Sequence, residues 1–335
     1  MNKKLAIVFT GGTIAMKVSK THGGAVPVLK GREILSQVLD VSRLAEIVVH
    51  DFGQYPGPHM TPTLMLELKG VVEQYLAKPG IAGVIVTHGT DTLEETAYFL
   101  DLSLHSPKPV VVVGAMKDCT ELGWDGPSNL LGAARTAINK AARGRGVLVF
   151  LNDTINSASE VTKTSTDSFE TFRSPDLGPL GWVDRDQVLF YRQPMFRESY
   201  KVKTIEPKVD LLKMAVGMDD RLICYAVAAG ARGLVIEGMG RGNVPPAVVP
   251  GIAYAIARKV PVILCSRCIG GRVLDTYAYE GGGHGLRQLG VILGGLLPGQ
   301  KARIKLMILL GQGLDVKRVM RAFECREYMA CGEKA

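Results

Sequence analysis

Leu5-Ala6-Ile7-Val8-Phe9, followed at once by Thr10-Gly11-Gly12-Thr13-Ile14-Ala15, reads as a buried strand running into a loop rich in hydroxyls and glycine. The same arrangement recurs downstream. Ile81-Ala82-Gly83-Val84-Ile85-Val86 precedes Thr87-His88-Gly89-Thr90-Asp91-Thr92-Leu93-Glu94-Glu95-Thr96, and Gly146-Val147-Leu148-Val149-Phe150-Leu151 precedes Asn152-Asp153-Thr154. Strands that are apolar on both faces belong in a parallel sheet covered by helices on each side. Further strands are expected at Ile47–Val49 and Val110–Val113, and helices over Arg32–Leu39, Thr63–Ala77, Glu94–Leu102 and Asn129–Ala142. Asp91 or Thr92 is placed to cap the third of these helices.

The alternation predicts an α/β protein with a doubly wound, mostly parallel sheet in a larger N-terminal domain spanning residues 1–190. From Tyr191 to about Met214 the pattern breaks into charged, irregular sequence, read as a linker over 191–214. Leu222–Val227, Gly233–Glu237 and Val260–Cys265 then restart it as a smaller C-terminal α/β domain over 215–335.

In open parallel sheets ligands bind outside the carboxyl ends of strands, which is where these loops fall. Glycines there let backbone N–H groups approach a developing negative charge, and Thr13 is the candidate nucleophile. A threonine hydroxyl needs a neighbouring base. Thr90 and Asp91 come from the second loop, and Val161-Thr162-Lys163-Thr164 adds a lysine. Lys163 can then act as base through the Thr90 hydroxyl, while the Asp91 carboxylate orients the ammonium or captures a substrate amine.

These residues resemble the bacterial L-asparaginase family. Thr-Gly-Gly-Thr-Ile-Ala and His-Gly-Thr-Asp-Thr-x-x-Glu-Thr-Ala look like its two signatures. Gly114-Ala115-Met116, Asp125-Gly126-Pro127-x-Asn129-Leu130, Val161-Thr162-Lys163-Thr164 and Gly178-Pro179-Leu180-Gly181 match in order, with Ser266-Arg267 and Gln300-Lys301-Ala302-Arg303 as later landmarks. The resemblance implies an amidohydrolase that releases ammonia from asparagine, and often glutamine, through an acyl-enzyme on Thr13. It assigns Thr90, Lys163 and Asp91 to a second catalytic set, with Asp91 also gripping the substrate amino group. The main chain at Gly12, Gly89 and Ala115 would position the amide. No metal or organic cofactor is implied. Obligate dimers or tetramers are, with each site shared with the second domain of a neighbouring subunit, where Glu280 is the acidic candidate.

Two departures stand out. The segment Met16–Gly31 lacks the loop tyrosine of the family and reads Ala25-Val26-Pro27-Val28 where Tyr-x-Pro-Val is usual. Tyr55, Tyr277, Tyr279 and His22 are candidates to replace it. The carboxylate-binding segment, normally Ser-x-Asp-Met, reads Gly53-Gln54-Tyr55-Pro56-Gly57-Pro58-His59-Met60-Thr61, in which His59 could meet an anionic substrate. A modified or bulkier asparagine- or glutamine-like amide is therefore the rival substrate. A catalytically silent binding protein on the same scaffold is the rival class.

Hydrophobic content of 47% with 21% charged residues is that of a soluble globular enzyme. The net charge of +8 could attract nucleic acid, but with 6% aromatic residues and no arginine-rich helix or zinc-finger spacing, nucleic acid is not the expected partner; a small amide is. No stretch approaches the ~20 apolar residues of a membrane span. The run after Met1-Asn2-Lys3-Lys4 is too short for a secretory signal, so a cytoplasmic address is expected. Six scattered cysteines fit reduced thiols, and Cys265-Ser266-Arg267-Cys268 lacks the partners of a zinc site. Gly238-Met239-Gly240-Arg241-Gly242 lacks dinucleotide-binding spacing, and Gly281-Gly282-Gly283-His284-Gly285 reads as a rim loop.

Overall fold

The computed structural model describes residues 3–21 and 23–328. It divides into two compact units, Met1–Lys201 and Val202–Ala335.

The first unit is built from β1 (Lys4–Gly11), a hairpin of β2 (Met16–Ser19) and β3 (Gly24–Pro27), α1 (Gly31–Ser36), α2 (Leu39–Leu44), β4 (Glu46–Tyr55), α3 (Pro62–Leu76), β5 (Ile81–Thr87), α4 (Leu93–Ser103), β6 (Val110–Val113), α5 (Gly126–Ile138), β7 (Val147–Leu151), β8 (Thr154–Ser157), β9 (Thr162–Lys163), β10 (Phe172–Arg173), β11 (Gly181–Asp184) and β12 (Gln187–Phe190). Its eight-stranded sheet runs β12-β11-β8-β7-β6-β5-β1-β4. The five strands from β7 to β4 are parallel, and β8, β11 and β12 extend them antiparallel. Chain order reverses between β1 and β5, so the crevice beyond their carboxyl ends is the topological switch point.

Both sheet faces are buried, as the apolar runs require. Leu5, Ile7 and Phe9 of β1, with Ile85, Val111, Val113, Leu148 and Phe150, meet Ile34, Val41, Leu130, Ala133 and Ala137 from α1, α2 and α5. The intervening residues face the other way, where α3 and α4 pack on β5, β6 and β7.

Several boundaries differ from the sequence reading. The helix expected over 32–39 is two short helices, because Val38 leaves helical geometry (φ −132°, ψ 59°) to put its side chain into the core. The helix expected over 129–142 begins at Gly126, where Pro127 suits a first turn, and ends at Ile138. Asn139 is extended there and caps a separate turn over Lys140–Ala142 through its side-chain oxygen, which accepts from Ala141 N–H at 2.8 Å. Thr92 occupies the N-cap of α4, but its hydroxyl donates to the Gly57 carbonyl at 2.7 Å instead of accepting from the helix.

The second unit carries β13 (Val209–Lys213), α6 (Arg221–Ala228), β14 (Gly233–Gly238), α7 (Val249–Ala257), β15 (Val262–Ser266), α8 (Gly283–Leu289), β16 (Ile292–Leu293), α9 (Gly299–Gly311) and α10 (Val316–Tyr328). Its four strands are parallel in the order β13-β14-β15-β16. β13 falls inside the stretch read as linker: Val209 is buried on the new sheet although charged residues surround the strand.

Candidate active site

At the switch point the ends of β1 and β5 clasp each other. The Thr10 hydroxyl donates to the Thr87 carbonyl at 2.6 Å, and Thr10 N–H donates to the Thr87 hydroxyl at 3.3 Å, all buried. Beyond the clasp the backbone turns through Gly11 and Gly12, both at positive φ (108° and 76°). Gly11 pairs with Tyr55 at the end of β4, and Gly12 N–H donates to the Tyr55 carbonyl at 3.0 Å.

Three loops meet through glycines. A Cβ on Gly12 would lie 2.3 Å from the Gly89 nitrogen, and one on Gly89 would lie 2.6 Å from the nitrogen of Gly57. A Cβ on Gly57 would in turn touch the Asp91 side chain at 3.2 Å. Only backbones without side chains can approach this closely, so Thr13 and the Thr90-Asp91 pair sit on loops whose main chains are in contact. Thr13 opens a single helical turn, Thr13–Ala15, and is half-buried.

Lys163 arrives from β9 and joins the second loop. Its Nζ donates to Thr90 Oγ1 at 3.0 Å and to Asp91 Oδ1 at 2.8 Å. Thr90 is buried, whereas the Asp91 side chain is 61% exposed and that of Lys163 15%. The cluster thus has a dry side at the hydroxyl and a wet side at the carboxylate. The wet side opens into a cleft of about 420 Å³ lined by Asp91, Glu94, Lys163, Thr164, Ser165 and Thr166.

Residues given no role in the sequence reading hold this cluster in place. Glu94, buried in the first turn of α4, accepts from the Thr162 hydroxyl at 3.1 Å and from Lys163 N–H at 3.4 Å, fixing the register of β9. Asp125 accepts from the backbone N–H groups of Met116 and Lys117, and its partner Asn129 donates to the Gly114 carbonyl. That bracing sets the main chain at Ala115, which is itself buried. Glu94 stood in the quoted motif. The helix start that follows Asp91 was its signal.

The other candidates make no side-chain bond to this cluster among the described residues. His59 is exposed at the end of a short turn, Gly57–His59. Glu280 is exposed in a turn of the second unit, after the stacked rings of Tyr277 and Tyr279. Tyr55 touches the nucleophile loop by its backbone, while its ring folds over Gly53 toward Phe52. His22 lies outside the described residues. Of the C-x-x-C pair, Cys265 is buried and Cys268 exposed, both free. Among the described residues, no group of three or more His, Cys, Asp or Glu gathers to hold a metal, and no helix is long and apolar enough to cross a membrane.

Comparison with known proteins matches residues 4–196 to the family described as asparaginase, N-terminal, and residues 208–323 to the glutaminase/asparaginase C-terminal domain. The chain is 37% identical over 310 residues to an L-asparaginase of Bacillus licheniformis, covering 92% of this chain and 96% of that protein. It is 38% identical over 328 residues to a probable L-asparaginase of Deinococcus radiodurans, covering 96% and 97%. With L-asparaginase 2 of Escherichia coli the identity is 33% over 330 residues, covering 95% and 92%.

Proposed function

The chain belongs to the asparaginase family, an amidohydrolase family, and from that premise we propose that it hydrolyses the side-chain amide of L-asparagine with Thr13 as nucleophile. The single observation that carries this reading is the bonding of Lys163 Nζ to both Thr90 Oγ1 and Asp91 Oδ1, on a loop whose glycine abuts the one before Thr13.

In this mechanism the Thr13 oxygen attacks the amide carbonyl, and its proton passes through the Thr90 hydroxyl to Lys163 acting as base. The tetrahedral intermediate collapses by breaking the C–N bond. The proton returns to the leaving nitrogen, ammonia departs, and an ester to Thr13 remains. Water then attacks the ester, giving up a proton along the same route, and releases aspartate and free Thr13. Asp91, wet on its outer face, holds the Lys163 ammonium and receives the substrate α-amino group. The main chain at Gly12, Gly89 and Ala115 seats the amide, and His59 lies on the segment that faces the α-carboxylate.

Assembly as a homodimer or homotetramer, with Glu280 serving a neighbouring subunit's site, belongs to the same reading. Its support is the exposed apolar edge of the sheet, where Trp182 pairs with Leu189 across strands and packs its ring at a tilt against Tyr191. Cytoplasmic residence is supported by Cys119, Cys224, Cys265 and Cys268 being free thiols.

The test is ammonia release from L-asparagine by the purified protein and its Thr13→Ala variant, with mass spectrometry of the acid-quenched enzyme. A covalent adduct on Thr13 in the parent, and no turnover in the folded variant, is the expected result. Full turnover by the variant overturns the assignment.

A further inference from the structure

His88 is the one ring in the catalytic loop that faces inward. It is 1% exposed, between the last residue of β5 and Gly89. Its Nδ1 lies 2.8 Å from the Gly89 carbonyl oxygen and its Nε2 2.9 Å from the Thr96 hydroxyl. A carbonyl only accepts, so Nδ1 carries the proton; Nε2 of the neutral ring is then an acceptor, and Thr96 donates. Burial holds the ring in this neutral form, lowering its pKa to about 4. A second tie, His88 N–H to the Val113 carbonyl at 2.8 Å, fixes its backbone to the end of β6.

The consequence passes through one peptide plane. In a trans peptide the C=O of Gly89 and the N–H of Thr90 point in opposite directions. Drawing the Gly89 oxygen toward the buried ring therefore turns the Thr90 N–H away from it. That N–H donates no hydrogen bond among the described residues. The preceding peptide, at the His88 carbonyl carbon and the Gly89 nitrogen, is the one that abuts Gly12, and the two peptides share the Gly89 Cα.

We propose that His88 is a positioning residue for the hydrolysis: by anchoring the Gly89 carbonyl to α4 through Thr96, it aims the Thr90 N–H into the crevice as a donor to the reacting amide and holds the Thr90 loop in register with the Thr13 loop. His88 touches no reacting atom, and its effect is confined to how well the transition state is held. An apolar side chain of similar size would fill the space but leave the Gly89 oxygen buried and unbonded, free to rotate the peptide. The inference rests on the proposed roles of Thr13 and Thr90.

Steady-state kinetics on His88→Leu, His88→Asn and Thr96→Val, beside Thr90→Val, test it. His88→Leu is expected to lower kcat about 100-fold with little change in KM, the loss typical of one misaimed oxyanion donor or a shift near 1 Å. His88→Asn keeps an N–H near the Nδ1 position and is expected to recover at least about tenfold of that loss, which a purely structural role would not. Thr96→Val removes the anchor and is expected to lower kcat about tenfold, again without raising KM; should His88→Leu not fold, this variant and His88→Asn decide the matter. Unchanged kcat in Thr96→Val, or an Asn variant no better than Leu, overturns the proposal. Full activity in Thr90→Val would instead overturn the reading of the site itself.

Discussion

Replacing Lys163 separates a proton-transferring lysine from a structural one. In Lys163→Met the apolar stem is kept and two polar contacts are lost. The ion pair with Asp91 lies against solvent, since that carboxylate is 61% exposed, so water screens it and its loss costs under about 1 kcal/mol. The bond to the buried Thr90 hydroxyl is charge-assisted and adds about 1.5 kcal/mol. A total near 2 kcal/mol in a unit of this size lowers the melting temperature by about 4–8 °C, leaving the enzyme folded at 25 °C. Removal of a general base, by contrast, lowers kcat by about 10²–10⁴. Lys163→Arg sharpens the contrast, because a guanidinium restores the charge beside Asp91 but does not give up its proton at working pH. Calorimetry with ammonia-release kinetics on both variants reads the two effects apart. Arg as inactive as Met, with its stability restored, is the expected pattern. An active Arg variant would refute the reasoning, since Lys163 would then be serving only as a fixed positive charge.

The glycine junction makes a steric prediction. Gly12→Ala, at φ 76° with its Cβ 2.3 Å from the Gly89 nitrogen, is expected to abolish activity and soluble yield, whereas Gly144→Ala, at the same φ in open space, is expected to cost about 1–2 kcal/mol and no activity. For pH, the folded pKa of His88 near 4 lies below its ordinary value of 6.5. The unfolded chain therefore binds the extra proton first, and stability present above pH 6.5 is lost as pH falls toward 4, by about 3 kcal/mol. Urea midpoints between pH 7 and pH 4.5 are expected to fall less steeply in His88→Asn, and equal slopes would contradict the assignment. Burial also pushes the Cys265 thiol pKa up. Brief alkylation of the native enzyme, mapped by mass spectrometry, is thus expected to mark the exposed Cys268 and spare Cys265 until denaturant is added, and early marking of Cys265 would count against its burial.

What the sequence discloses follows from what periodicity can encode. Leu5–Phe9, Val84–Val86, Val110–Val113 and Leu148–Leu151 are legible as parallel strands because both faces of each are buried, so every residue is apolar. β8, β11 and β12 were not legible. They are four residues long, β8 buries the polar side chains of Asn156 and Ser157, β11 and β12 alternate exposed residues with buried or half-buried ones, and β12 pairs on one side only. β4 runs to ten residues, not the three expected, because it is the opposite edge and its exposed Glu46, Asp51 and Gln54 hide the strand from a hydrophobic count.

The site divides in the same way. Thr90, Asp91 and Lys163 could be named because hydroxyls and charges at strand ends have no place in a core, and the structure brings those three together. Gly57 and His88 gave no comparable signal, Gly89 was read only as main chain that positions the amide, and Glu94 was marked only by the helix start after Asp91. A glycine carries no chemistry, and what Gly57 and Gly89 contribute is the absence of a side chain at one point of tertiary contact. His88 and Glu94 act by bonding to peptide groups of neighbouring loops, a property of the folded pairing and not of any local pattern. The distance between the Thr13 loop and the Thr90 loop is consequently set by backbone against backbone, at Gly12 on Gly89 and Gly89 on Gly57, with no flexible side chain between them. Such a contact cannot relax by changing a rotamer. A site built this way holds its hydroxyls to fractions of an ångström, and for the same reason tolerates no added methyl group where its loops cross.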